Sequence, residues 1–393
     1  MLSQYEIDII VKGIEISWTT WGKMAGEKLV IGDISYLKSE TEKGFERIFD
    51  INIEENQNYR IQQMIAFIKA GILPDSMLIT PRTKPENLHE ILSEKGFIIN
   101  DSDPCMMMYI DEYKPNIPEN HELIIKKVTE KSGLPDWLNI INKALFEGEL
   151  VSAEQFYDVL KLENTQFYIG IVNNKAVTAC MTITEGDTSV LEMVATLKEY
   201  RKNGYAAALI DTAIKDLSQN GIKTISLRAE ADGVNVYKHL GFKECFNRIV
   251  AGCDWKNVHK KACPCKIEDN KIQKAKQLFE KSSSIKDFIL EMEKQRVIGR
   301  NISYNPDDNA IYITKMYACD CDGGYPSSNT VIGQRCHCEY VNHLDKSIPI
   351  SYCKCAATFF EPMFTPLFGE NIEISAIQTV LSGGESCIFK IKL

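Results

Sequence analysis

The sequence predicts an α/β (α+β) protein, with a mixed sheet flanked by helices, present twice, and then a small cysteine-rich α+β C-terminal domain. Three observations carry this. The middle of the chain switches between strand-like and helix-like periods, the first part repeats the ending of the middle part, and past residue 268 paired cysteines and aromatic runs take over. A chain of 393 residues, 44% hydrophobic and 25% charged, has room for two to four domains with real cores. Two polar, irregular breaks, "DEYKPNIPENHE" (111–122) and "CDWKNVHKKACPCKIEDN" (253–270), set the expected domains at 1–112, 120–252 and 268–393.

In the first segment, "SMLITPRTKPENLHEILSEKGF" (76–97) reads as strand, loop, helix and a closing Gly96-Phe97. It parallels "KTISLRAEADGVNVYKHLGF" (223–242), with Leu92 in the place of Tyr237. Such a parallel implies an internal duplication; two unrelated α/β domains that both end in Gly-Phe are the alternative.

The middle segment opens with a helix that places Trp137, Ile140, Ile141, Ala144 and Leu145 on one face. A second helix starts at Ser152 with Gln155 three residues on, a capping-box pattern, and buries Phe156, Val159 and Leu160. "QFYIGIV", "AVTACMTIT" and "SVLEMVAT" form a meander turned at 173–175 and at "EGDT". A helix follows with Ala206, Leu209, Ile210, Ala213, Ile214 and Leu217 on one side, stopped at Asn220-Gly221. "KTISLRAE" is a further strand and "VNVYKHLGF" a short helix ending at Gly241.

Composition narrows the function classes. A net charge of -9 argues against general binding of nucleic acid or anionic membrane, while leaving room for a local basic patch on a phosphorylated ligand. No apolar run approaches the ~20 residues that span a bilayer, and "MLSQYEIDII" lacks a basic n-region. The expected location is the cytoplasm, where the 13 cysteines would be thiols or metal ligands.

The stretch "LKEYRKNGYAAALIDTAI" (197–214) is the most informative. A strand that turns directly into a helix leaves the first helical N–H groups without intrahelical acceptors, and these donors favour an anion. Gly204 and Ala206 keep side chains out of the way, and Arg201 and Lys202 add charge at the rim. Such a turn suits a phosphate or pyrophosphate; a solvated basic turn is the alternative.

With "VNVYKHLGF" some thirty residues on, the segment resembles the GNAT N-acetyltransferase superfamily. The family signature Arg/Gln-x-x-Gly-x-Gly/Ala stands here as Arg201-Lys202-Asn203-Gly204-Tyr205-Ala206, and its tyrosine four residues before Gly-Phe as Tyr237. The resemblance covers about 120–250. It implies a GNAT-like mixed sheet, acetyl-CoA as donor and a primary amine on a small molecule or peptide as acceptor. It assigns the pantetheine arm to the strand at Met193, Val194 and Thr196, the pyrophosphate to 201–206, a cofactor contact to Asn235 and leaving-thiolate protonation to Tyr237. A base must strip the attacking amine, since a lysine-like amine with pKa about 10.4 is mostly protonated at neutral pH. Glu192 is the first candidate; Glu147, Glu149, Glu185 and a water chain are the others. The acidic chain favours a cationic amine. The first segment, lacking both motifs, would be a degenerate lobe that packs beside the active one and shapes the acceptor pocket.

In the tail, two helices, "DNKIQKAKQLFEK" and "SIKDFILEMEKQ", precede a hairpin turned at 305–309. Cys319/Cys321, Cys336/Cys338 and Cys353/Cys355 follow as C-x-C pairs; in an extended strand each pair could offer both thiolates to one Zn²⁺. Reduced spare thiols are the alternative. The end of the chain partly resembles 4-vinyl-reductase-type sensor domains, with Cys387 matching their last cysteine and Thr379 departing from the pattern. That likeness implies a module that binds a metal or an apolar ligand. A non-catalytic sensor of CoA, metal or ligand is therefore the rival to an enzyme.

Overall fold

This computed structural model describes every residue except 1, 26, 39–45, 115–116, 118–120, 147–152, 263–265, 300, 316–337, 339, 341–348 and 385. The first part of the chain forms α1 (Gln4–Ala25), β1 (Glu27–Ile31), β2 (Ile34–Lys38), β3 (Arg47–Ile51), α2 (Gln57–Lys69), β4 (Ser76–Ile79), α3 (Leu88–Glu94) and β5 (Phe97–Tyr109). The middle forms β6 (Ile124–Val128), α4 (Leu134–Ala144), α5 (Ala153–Leu160), β7 (Thr165–Val172), β8 (Lys175–Glu185), β9 (Thr188–Thr196), α6 (Tyr205–Gln219), β10 (Thr224–Arg228), α7 (Val234–His239) and β11 (Lys243–Cys253). The tail adds α8 (Trp255–Ala262), α9 (Asp269–Lys281), α10 (Ile285–Lys294), β12 (Asn301–Asn305), β13 (Ala310–Thr314), α11 (Lys354–Ala357), α12 (Glu361–Phe368), β14 (Glu373–Gln378) and β15 (Ile388–Lys392). The result is the predicted mixed α/β architecture with a second, smaller sheet.

Two compact units emerge: Met1–Asn52, Met77–Glu86 and Asn100–Val250 form one, and Ile53–Ser76, Asn87–Ile99 and Ala251–Leu393 the other. The first is built on an eleven-stranded sheet in the order β1-β2-β3-β4-β11-β5-β10-β9-β8-β7-β6. From the central pair β11 and β5 the strands run outward in descending order on both sides. The steps β3–β4 and β9–β10 are both parallel, each following the outer antiparallel strands.

β8 is buried along nearly its whole length because both of its faces are covered. Its alternation sends Cys180 into the core formed with α6 and α7, and Ala179, Met181 and Ile183 into the core formed with α4 and α5. On the second side Trp137 is fully buried against Phe156 and Phe167, and its indole Nε1 donates to the Cys180 carbonyl at 3.1 Å. The β7–β8 turn at Asn173 and Asn174 has φ of 49° and 61°, the left-handed pair that a two-residue hairpin turn requires.

The second unit carries a four-stranded antiparallel sheet, β12-β13-β15-β14, whose core includes Phe288, Phe360, Phe364 and Phe389. Ser284 caps α10, its hydroxyl accepting from the Asp287 N–H at 3.1 Å.

Cys338, Cys353 and Cys355, offered by the sequence as metal ligands, have other neighbours in the structure. The pair at 353–355 departs from the extended geometry the sequence suggested. Cys353 ends a 3-10 turn and Cys355 lies in α11, where residues two apart point to different sides of the helix. Cys355 Sγ accepts a hydrogen bond from Lys69 Nζ at 2.7 Å, and Cys338 Sγ is hydrogen-bonded to the Tyr352 hydroxyl at 3.2 Å. Burial works against the Lys69 ammonium, but the Cys355, Cys338 and Cys353 sulfurs hold its pKa above the usual lysine value. A cation thus already sits among these sulfurs and repels a second one. Among the described residues no three His, Cys, Asp or Glu side chains gather as a metal site needs, so zinc has no support there. Cys319, Cys321 and Cys336 lie outside the described residues.

His259 on α8 gives this unit a titration signature. Its ring is buried, with Nε2 lacking a hydrogen-bond partner among the described residues, and burial, then the Lys315 and Lys69 charges, push its pKa down to about 4. The unfolded chain takes up that proton near 6.5, so the contribution is fully present above that pH and is lost as the pH falls toward 4. The loss amounts to about 3 kcal/mol. Urea unfolding of wild type and His259→Gln should show a stability difference that shrinks between neutral pH and pH ~4.5; a constant difference would reject it.

Candidate active site

The site lies in the first unit, where β9 and β10 part. They pair in parallel only over Thr188, Ser189 and Val190 against Thr224, Ile225 and Ser226. β10 then continues against β5, while β9 holds only its β8 side. The divergence has a local cause. Opposite β9, the β8 register shifts between Ala179 and Met181, which pair with Ala195 and Glu192, so Met193 and Val194 together face Cys180 alone. This is a β-bulge, and Met193 sits in it at φ 54°. From Leu191 to Thr196 the β9 edge nearest β10 therefore has main-chain groups without ladder partners on β10.

β9 runs into the turn that starts α6. Lys202 and Gly204 both adopt left-handed backbone, φ 65° and 77°. A Cβ at Gly204 would meet nothing within 4 Å, so the glycine serves the conformation and the open space before the helix. No side chain caps α6 and its first turn contains no acidic residue, so the N–H groups of Tyr205, Ala206 and Ala207 point outward. Lys202 and Asn203 are exposed, whereas Tyr205 is buried and anchors the turn beside Val172 and Val177. Arg201 is exposed as well. Its guanidinium donates to the carbonyls of Thr196 at 3.1 Å and Ala144 at 3.3 Å, tying the turn to β9 and α4.

α7 brings Tyr237 into the same unit. Its ring is 8% exposed and packs edge-on against Phe242 at 5.9 Å. Among the described residues no group is hydrogen-bonded to its hydroxyl. Burial, the adjacent Cys180 and the Glu192 and Glu230 carboxylates push the phenol well above its ordinary pKa, with Arg228 opposing, so it stays protonated at neutral pH. Asn235 lies on the exposed side of α7.

Glu192 is reached from a direction the sequence did not reveal. α1 packs on β8, β9 and β10. At Gly13 the approach is so close that an added Cβ would collide with the Ser226 side chain and touch Val190. One helical turn further along α1, the Ser17 hydroxyl donates to Glu192 Oε1. The Arg228 guanidinium on β10 lies near enough to feel the Glu192 charge, which helps to hold its pKa up. Glu185, by contrast, forms an exposed ion pair with Lys12 at 3.1 Å, and Glu147 and Glu149 lie outside the described residues.

Comparison with known proteins decides the class. Residues 129–260 match the family described as the acetyltransferase (GNAT) domain. The central segment is a GNAT acetyltransferase domain. The protein is thus an enzyme of the GNAT N-acetyltransferase type. Over 122 residues the chain is 26% identical to the uncharacterized protein YyaT of Bacillus subtilis, covering 30% of this chain and 82% of that one. Among solved structures, a GCN5-related N-acetyltransferase from Kribbella flavida has the same fold at 16% identity and TM-score 0.50, over 63% of this chain and 96% of that one. A putative GNAT-family acetyltransferase from Novosphingobium aromaticivorans matches the same shares at 14% identity and TM-score 0.38. The acetyltransferase domain contains the β9 bulge, the α6 turn and Tyr237; α1 and Ser17 lie outside the matched residues. No described helix is long and apolar enough to cross a membrane.

Proposed function

We propose that the protein transfers the acetyl group of acetyl-CoA to a primary amine by direct attack in a ternary complex. The observation that carries this is the parting of β9 from β10 at the Met193 bulge, directly before a helix whose first N–H groups are open. The residues fit the cofactor. The free β9 edge at Met193, Val194 and Thr196 offers main-chain hydrogen bonds to a pantetheine arm. The turn 201–206 offers main-chain N–H groups and Lys202 to a pyrophosphate, and the exposed Asn235 on α7 would supply a further cofactor contact.

When bound, the donor supplies an activated thioester; the chain supplies orientation and proton transfer. Glu192, fixed by Ser17, takes the proton of the incoming amine. Tyr237, kept neutral by its surroundings, gives a proton to the departing sulfur.

The first segment reads as a degenerate second lobe, giving a tandem protein of 1–112, 120–252 and an accessory domain at 268–393 in the cytoplasm. The outward strand order supports duplication. At the start of α2, Asn56 holds φ 48°, the counterpart of Gly204, but the preceding residues are the exposed carboxylates Glu54 and Glu55. Carboxylates there repel phosphate, and Leu92 in the place of Tyr237 has no proton to give.

Release of free thiol from acetyl-CoA, measured against a panel of polyamines, aminoglycosides, amino acids and peptides, tests the reading. At least one amine should be acetylated well above the rate of donor hydrolysis. Failure of every amine, with no calorimetric binding of CoA, would remove it.

A further inference from the structure

Beside Glu192 the sheet gathers guanidiniums around one buried carboxylate, and one of them has a replaceable outer partner. Asp103 on β5, its side chain 8% exposed, accepts from Arg248 Nε at 3.2 Å and Nη2 at 2.8 Å, and from Arg228 Nη1 at 3.4 Å. The buried carboxylate thus holds Arg248 from β11 and Arg228 from β10 in fixed positions. A third guanidinium, Arg47 on β3, is pushed down to about 10 by burial and by the charges of Arg248 and Arg228, so it feels both. Asp101 and Asp103 oppose that shift.

Arg228 is more exposed than Arg248, whose side chain is 9% exposed. The Arg228 side chain is 33% exposed and its second ion-pair partner is Glu230, 64% exposed on the segment after β10. It also feels the charge of Glu192, the residue that Ser17 orients. The same neighbourhood therefore offers a carboxylate base and a guanidinium whose outer partner is an exposed side chain. A planar guanidinium matches a carboxylate through two parallel hydrogen bonds, and a surface ion pair such as Arg228–Glu230 is weak enough to be exchanged.

We propose that the acceptor is a small amino carboxylate, with its amine at Glu192 and its carboxylate on Arg228 in the place that Glu230 occupies in the free protein. This rests on the acetyl-transfer reading above and sets aside the cationic acceptor that the chain's net charge favours. A two-point hydrogen bond to the Arg228 guanidinium is a contact interaction, whereas distant surface carboxylates are screened within about 10 Å by salt. Asp103 and Arg248 act as positioning residues for Arg228.

The test uses the full chain and pairs of acceptors that differ only in the carboxylate, each amino acid beside its decarboxylated amine. Two readouts are taken: acetyl transfer, and calorimetric binding of the same compounds in the presence of CoA. Wild type should prefer the amino acid. Arg228→Met should cut the ratio of kcat/KM for the pair by roughly ten- to a hundredfold, and Arg228→Lys by less. Glu230→Gln, an exposed change that does not threaten folding, should lower KM for the amino acid several-fold by removing the competing carboxylate. Equal or better use of the decarboxylated amines would overturn the anchor while leaving acetyl transfer intact. Arg228-dependent binding of amino acids without acetylation would keep the anchor and reject acetyl transfer. Loss of both binding and turnover would reject both.

Discussion

Tyr237→Phe should lower turnover by roughly 10²–10⁴-fold while leaving the affinity for CoA and the thermal stability close to wild type. The split follows from how the residue is held. Its ring supplies the packing, 8% exposed and edge-on to Phe242 at 5.9 Å, and phenylalanine keeps that contact. Its hydroxyl is bonded to no described residue, so its loss leaves no buried partner stranded. What disappears is a proton that burial and nearby carboxylates hold on the oxygen at neutral pH. The pH profile is a second check. With the phenol raised so far, the basic limb of wild-type activity should not report a group near the ordinary tyrosine value of about 10. Steady-state kinetics beside CoA titration decides it: equal turnover removes Tyr237 from the chemistry, and equal losses of turnover and CoA affinity make it a packing residue.

Gly204→Asp should weaken CoA on the order of a thousandfold, with acetyl-pantetheine, which lacks the pyrophosphate, hardly affected. A unit charge about 4 Å from a phosphate in a partly screened site is worth ~4 kcal/mol of repulsion. The new carboxylate would also accept the N–H groups that the anion needs, as a capping residue does. Stability should change little, because a Cβ at this position meets nothing within 4 Å, although φ 77° is less comfortable for aspartate than for glycine. A change that spares the helix while destroying pyrophosphate binding separates the anion role of the turn from its folding role. If both ligands weaken alike, the turn merely shapes the cleft; if neither does, the pyrophosphate lies elsewhere.

Much of the central domain was legible because its elements carry strong periods. α4, α6, β7, β8 and β9 stand within a residue or two of their sequence-based limits. β6 and β11 were not foreseen. β6 is only "IIKKV", and two lysines hide its alternation. β11 has Arg248 in its middle, which reads as exposed; it is buried because Asp103, 145 residues earlier in the chain, meets it. Nor does the spacing show that the Arg201 guanidinium reaches carbonyls of β9 and α4. In the C-x-C pair at 353–355 the spacing alone could not say whether the backbone was extended or helical. Nor could it say that Cys338 would meet a tyrosine hydroxyl and Cys355 a lysine from α2.

The sequence by itself determined the central α/β order, the left-handed turn before α6 and the tyrosine near its end. Each is encoded by neighbours a few residues apart: a hydrophobic period, a glycine that leaves open space before the helix, a short helix that stops at Gly-Phe. Only the tertiary structure decided that β9 leaves β10 after Val190, that Ser17 orients Glu192 and that Asp103 gathers two guanidiniums. Those are pairings between groups far apart in the chain. Their energy comes from burial and opposed charge, which no local pattern records, so they come into being only when the strands lie side by side.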